Sequence, residues 1–204
     1  WWRRPATHVA AAAGVVVALA ILALPTTRSA VADFLGIDGI RISFDDPPDE
    51  PVSNELALGR RVDFDEAQSY VGFDLKVPQR LGDPDDIYIN RYADNGEVTF
   101  VYRPQDDLPE AAETGVGALF TQFEGDNEVL TYKKKFVAGN ASVVPVELGD
   151  TMGFWIDGAH NLYPPHAAPR VAGKTLLWQI GSVSYRLELN TSLEEALAIA
   201  RSLE

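Results

Sequence analysis

His160 and His166 are the only histidines beyond residue 8, and they stand six residues apart in the stretch AHNLYPPHAAPR. A serine hydrolase needs a serine beside a histidine and an orienting acid, and no Gly-x-Ser-x-Gly turn occurs. Two histidines at this spacing match no common zinc pattern, and they would need carboxylates from elsewhere to hold a metal. Asp45, Asp46, Asp49 and Glu50 form one acidic group, and Asp83, Asp85 and Asp86 another. Calcium favours such oxygens, but its loops place them at alternating positions around a turn-forming glycine, and prolines interrupt both groups. The run GVGALF at 115–120 lacks the Lys-Ser/Thr end of a phosphate loop. The chain has no cysteine, which removes thiolate ligands, thiol nucleophiles and disulfides. Trp155, Trp178 and Tyr185 fall on strand-like segments and are expected in the core. The residues thus lead to the expectation of a non-enzymatic chain with no catalytic residue, no cofactor and no metal.

Charge narrows the partners. All 30 acidic residues lie at or beyond Asp33, together with 14 of the 17 basic ones, a balance of −16 over that part of the chain. Such a surface repels phosphate backbones, so nucleic acid is not an expected partner. Lys133-Lys134-Lys135 is the only basic run and reads as a solvated strand end.

The elements that must carry these residues begin with an apolar one. Residues 6–24 hold no charge, and a helix of that length spans about 28 Å, close to the hydrocarbon thickness of a bilayer. WWRR precedes it and the acidic bulk follows, which orients the N-terminus to the cytoplasm and the C-terminus outside. Residues 1–28 are therefore expected to form a transmembrane anchor. A cleaved signal is the other reading, since Ala30-Val31-Ala32 before Asp33 fits a small-residue cleavage site. Residues 29–61 read as a juxtamembrane element followed by an acidic, proline-rich linker, DDPPDEPVSNELALGRR, with little to bury.

Residues 62–204 read as one extracytoplasmic domain. DFDEAQSYVGF starts as a helix with Asp63 as N-cap and Glu66 three residues on. FDLKVP is expected as a strand with Phe73, Leu75 and Val77 on one face. IYINRY and VTFVYR flank Asn95-Gly96, a hairpin signal that puts Ile89 opposite Tyr102 and Arg91 opposite Phe100. ALFTQFEG, VVPVELGD and GFWIDG follow as strands. In TLLWQIGSVSYRLEL a two-residue Gly181-Ser182 turn puts Trp178 opposite Tyr185 and Leu176 opposite Leu187, all on one face. Ser184 and Arg186 are then expected on a solvated opposite face. TSLEEALAIARSLE closes the chain as an amphipathic helix capped by Ser192, with Leu193, Ala196, Leu197, Ala200 and Leu203 as its buried stripe. The expected fold class is α+β: an antiparallel sheet with helices packed on one face, preceded by a single N-terminal transmembrane helix.

GFDLKVPQRLGDPDDIY, MGFWIDGAHNLY and TLLWQIGSVSYRLELNTSLEEALAIARSLE together resemble extracytoplasmic domains of the bacterial domain-of-unknown-function family DUF4367. RSAVADFLGIDGIRI resembles the exit from the anchoring helix in such proteins, which implies an anchor rather than a cleaved signal. The resemblance implies a membrane-tethered, anti-sigma-factor-like protein whose outer domain senses or regulates. Its partner would be a sigma factor or other regulator, engaged through a cytoplasmic segment ahead of Trp1. It implies no catalytic residues. The alternative from the residues alone is a secreted or tethered module that holds an apolar or cell-envelope ligand on its sheet.

Overall fold

The computed structural model describes residues 37, 40–43, 49, 51–53, 55–90, 96–125, 133–136, 141–164 and 168–203, with 41, 43 and 133–136 as main chain only. The expected anchor at 1–28, the juxtamembrane stretch to residue 36 and most of the acidic run at 44–50 lie outside the described residues. Among the described residues no helix is long and apolar enough to cross a membrane. Ile37–Glu204 form one compact unit.

Alternating apolar residues build an eight-stranded sheet. Its strands are β2 (Arg60–Val62), β3 (Asp86–Asn90), β4 (Glu97–Tyr102), β5 (Ala118–Glu124), β7 (Ser142–Leu148), β8 (Thr151–Asp157), β11 (Thr175–Ile180) and β12 (Val183–Leu189). Their order is β2-β3-β4-β5-β12-β11-β8-β7, and every neighbouring pair is antiparallel. A four-stranded sheet contains β1 (Ile40–Ser43), β6 (Lys133–Phe136), β9 (His160–Tyr163) and β10 (Arg170–Ala172), in the order β1-β6-β9-β10. Only its β1–β6 pair is parallel. Two short helices are described, α1 (Phe64–Tyr70) and α2 (Leu193–Ala200). The fold is sheet-rich and mostly antiparallel. The stretch 29–61, read as juxtamembrane element and linker, contributes β1, two residues of β2 and a bridge from Ser53 to Arg170.

One face of the large sheet carries the apolar core. Ile87, Ile89, Val98, Phe100, Phe120, Trp155, Leu176, Trp178, Tyr185 and Leu187 are buried there, with Ala67 of α1 and Ala196, Ile199 and Ala200 of α2. Asp63 caps α1 by accepting from Glu66 N at 2.8 Å, and Ser192 caps α2 by accepting from Glu195 N at 3.2 Å. Ile199 is buried in the α2 stripe, whereas Leu193, Leu197 and Leu203 are only half-buried. Phe120, Tyr185 and Trp178 stack with centroids 5.3 to 6.0 Å apart.

The C-terminal hairpin has the expected register, Trp178 against Tyr185 and Leu176 against Leu187. Gly181 takes φ 61° in its turn, the positive first position of a type II′ turn. The preceding hairpin differs from expectation: Ile89 pairs with Val98 and Ile87 with Phe100, so the register is slid by four residues. Asn90 is opposite Glu97, and Arg91 and Asn95 lie outside the described residues. Gly96 (φ 80°) instead lies where a Cβ would come within 2.9 Å of Val71 Cγ1, so glycine there lets the loop end close on α1. An even slip keeps every side chain on its face, and the apolar set remained correct.

FDLKVP is a second correction, because 73–77 forms no strand and pairs with none among the described residues. Two glutamine side chains replace the ladder. Gln122 Oε1 accepts from Lys76 N at 2.8 Å while its Nε2 donates to Lys76 O at 3.0 Å. Gln68 does the same to Leu75 N and Phe73 O. Leu75 is buried, and Phe73 and Val77 pack against the core as the alternation required.

Candidate functional site

The opposite face of the large sheet is not solvated. Thr99, Val101, Leu119, Thr121, Phe123, Phe154, Ile156, Thr175, Leu177, Ser184, Arg186 and Glu188 are all buried. That corrects the expectation for Ser184 (0 % exposed) and Arg186 (3 % exposed). Arg170 on β10 reaches Glu188 on β12, which places the small sheet over this face. Its buried His160, Leu162 and Ala172 belong to the same layer.

Strand periodicity collects the charges. Ser184, Arg186 and Glu188 alternate on β12, so all three side chains leave the same side. The β5–β12 register sets Thr121 opposite Arg186, and the β4–β5 register sets Thr99 opposite Thr121. The Thr99 and Thr121 hydroxyls are 3.0 Å apart. Arg170 donates to both Glu188 oxygens, Nη1 to Oε2 at 2.9 Å and Nη2 to Oε1 at 2.7 Å. Arg186 donates from Nη2 to Thr121 Oγ1 at 3.1 Å. Its Nε comes within 2.9 Å of Glu188 Oε1, close enough for an ion pair but too far off the N–H axis for a hydrogen bond. Arg186 Nη1 is buried without an acceptor among the described residues. Burial pushes the Arg186 guanidinium down to about 10; Glu188 opposes that shift and Arg170 adds to it. It remains charged at neutral pH.

A guanidinium with so high a pKa cannot exchange protons in a reaction near neutral pH. The cluster can hold and orient negative charge and fix the two sheets against each other. No family model, curated protein or solved structure matches this chain.

The residues singled out from sequence are scattered. His160 is buried on β9, with Nδ1 3.1 Å from Gly158 O, while His166 lies outside the described residues. Asp85 and Asp86 are engaged by arginines: Asp85 Oδ2 accepts from Arg103 N at 2.7 Å, and Asp86 pairs with Arg61. Of the first acidic group only Asp49 is described, and it is exposed. Among the described residues no group of three or more His, Cys, Asp or Glu is placed to hold a metal. Trp155, Trp178 and Tyr185 are core. Lys133–Phe136 is the β6 strand. A cleft of about 40 Å³ lies between Arg80, Leu108, Glu195 and Ile199, crossed by the 2.8 Å Arg80–Glu195 pair. That is room for about two or three waters.

Arg170, Glu188, Thr121 and Thr99 were not singled out from sequence. The strand itself gave no signal, because Ser184, Arg186 and Glu188 alternate with Val183, Tyr185, Leu187 and Leu189 as they would in a strand with one solvated face.

Proposed function

We propose that the chain is a single-pass membrane protein with a non-catalytic, extracytoplasmic sensing or regulatory domain, anti-sigma-factor-like in character. In this reading an α+β domain, its helices on one face of an antiparallel sheet, stands behind an N-terminal transmembrane helix. The order of the chain carries the proposal: Arg3 and Arg4, then uncharged residues 6–24, then a strongly acidic remainder. The listening regulator, a sigma factor or similar protein, would be engaged on the cytoplasmic side. The alternative, an apolar or envelope ligand lying on the sheet, gains less support. One sheet face is packed with Trp178, Phe120 and the helices, and the other is covered and charged.

The test is fractionation of cells expressing the full gene. The protein should stay with membranes after carbonate washing, and external protease should digest its C-terminal domain. A soluble form beginning at Asp33 would replace the tethered reading with a secreted one.

A further inference from the structure

We propose that the open cleft between Arg80, Leu108, Glu195 and Ile199 is a seat for one primary alkylammonium group, the end of a polyamine or of a partner's lysine side chain. The inference rests on the cleft alone and is independent of whether the chain is tethered.

Both walls of the cleft are pinned by main-chain bonds, so its shape is set before anything enters. On one side Gln105 and Leu108 close a tight loop, Gln105 N donating to Leu108 O at 2.9 Å and Leu108 N to Gln105 O at 3.1 Å. On the other, Gln79 N donates to Ser202 O at 2.9 Å and Arg80 N to Ser202 Oγ at 3.1 Å. The floor is apolar: Leu108 and Ile199 are buried, and half-buried Leu81 joins them. The rim is polar, with Arg80, Glu195, Gln105 and Asp107.

On that rim the acceptors outnumber the donors. Arg80 spends Nε and Nη2 on a single oxygen, Glu195 Oε1, at 3.2 and 2.8 Å. Glu195 Oε2, the Asp107 carboxylate and the Gln105 side-chain oxygen accept no hydrogen bond among the described residues. Two carboxylates also face one guanidinium, so the lining carries a net charge of −1. An anion would meet that excess, and among the described residues no three acidic or histidine side chains are grouped to hold a metal. An ammonium supplies what is missing: one positive charge, three donors and no acceptor. Its alkyl stem suits the leucine and isoleucine floor, as lysine stems lie on apolar surface elsewhere. A cleft of about 40 Å³ takes two or three water-sized groups, hence the nitrogen and about two methylenes. A guanidinium is broader than that, and a whole metabolite far larger.

The probe is n-butylammonium, titrated at constant ionic strength into the full chain, methyl-labelled and held in a non-ionic detergent. Methyl resonances of Leu81, Leu108 and Ile199 should shift together and saturate, with a midpoint of roughly 1–10 mM for so few buried atoms. Tetramethylammonium, which has the charge without a donor, should produce no saturable shift there. That contrast separates the site from general attraction of cations to the acidic surface. Asp107→Asn should weaken butylammonium about two- to fivefold, the scale of one partly exposed charge pair. Asp150→Asn, exposed in the β7–β8 turn away from the lining residues, should leave the midpoint unchanged. Spermidine and an acetyl-Gly-Lys-Gly-amide peptide, titrated in the same way, then name the source by which saturates at lower concentration. Methyl shifts that rise without saturating, that tetramethylammonium reproduces, or that Asp107→Asn leaves untouched would overturn the proposal.

Discussion

At the scale of the residue, the charged cluster makes an asymmetric claim. Glu188 compensates two arginines, so Glu188→Gln leaves buried cations without their carboxylate and should cost about 3–5 kcal/mol. Arg186→Met keeps most of the volume and removes the under-served charge, and should be near neutral or stabilising. Urea melts of the two variants measure the difference; equal losses would mean that Arg186, too, is fully compensated. A second prediction concerns Tyr102, whose hydroxyl is buried without a partner among the described residues. Burial raises its pKa, with Asp83 and Asp85 adding to the shift, and burial also raises that of Tyr185. Above about pH 10 the unfolded chain loses these protons while the folded one keeps them, so the folded state binds more protons. Stability should be complete below pH 10 and fall as pH rises beyond it. Tyr102→Phe should flatten that fall, which unfolding curves across the alkaline range would detect.

At the scale of the element, local signals were legible and long-range ones were not. Both caps follow from Asp63-x-x-Glu66 and Ser192-x-x-Glu195, and the Gly181-Ser182 turn fixes the last hairpin, because each depends on neighbours in sequence. FDLKVP has strand alternation but no strand partner, since Gln122 and Gln68 supply peptide-like amides in place of a ladder. No periodicity reveals such a pairing. It does allow a test: Gln122→Leu removes both bonds to Lys76 and should cost about 1–3 kcal/mol. Amide exchange should rise first at Lys76 and its neighbours. Unchanged protection there would show that packing of Leu75, not the glutamine, holds the segment.

At the scale of the whole molecule, the two-sided burial of the large sheet could have been read from contiguous apolar residues. Phe154-Trp155-Ile156 and Leu176-Leu177-Trp178 have no solvent face to give up, and such runs mark strands covered on both sides. What covers them was not legible, because the small sheet is assembled from four short, distant segments. The charged cluster was hidden for the same reason: Arg170 meets Glu188 only when β10 crosses over β12. The placement of the molecule is the central functional claim, and the absence of cysteine offers a direct measurement. Met152 is well exposed, at 47 %, so Met152→Cys gives a unique accessible thiol in the sheet domain. In intact cells whose outer barrier has been opened but whose plasma membrane is sealed, a membrane-impermeant maleimide should label Met152→Cys fully. Trp2→Cys, ahead of the apolar stretch, should label only after the plasma membrane is breached. Met152→Cys that stays protected until that membrane is breached would contradict an extracytoplasmic domain.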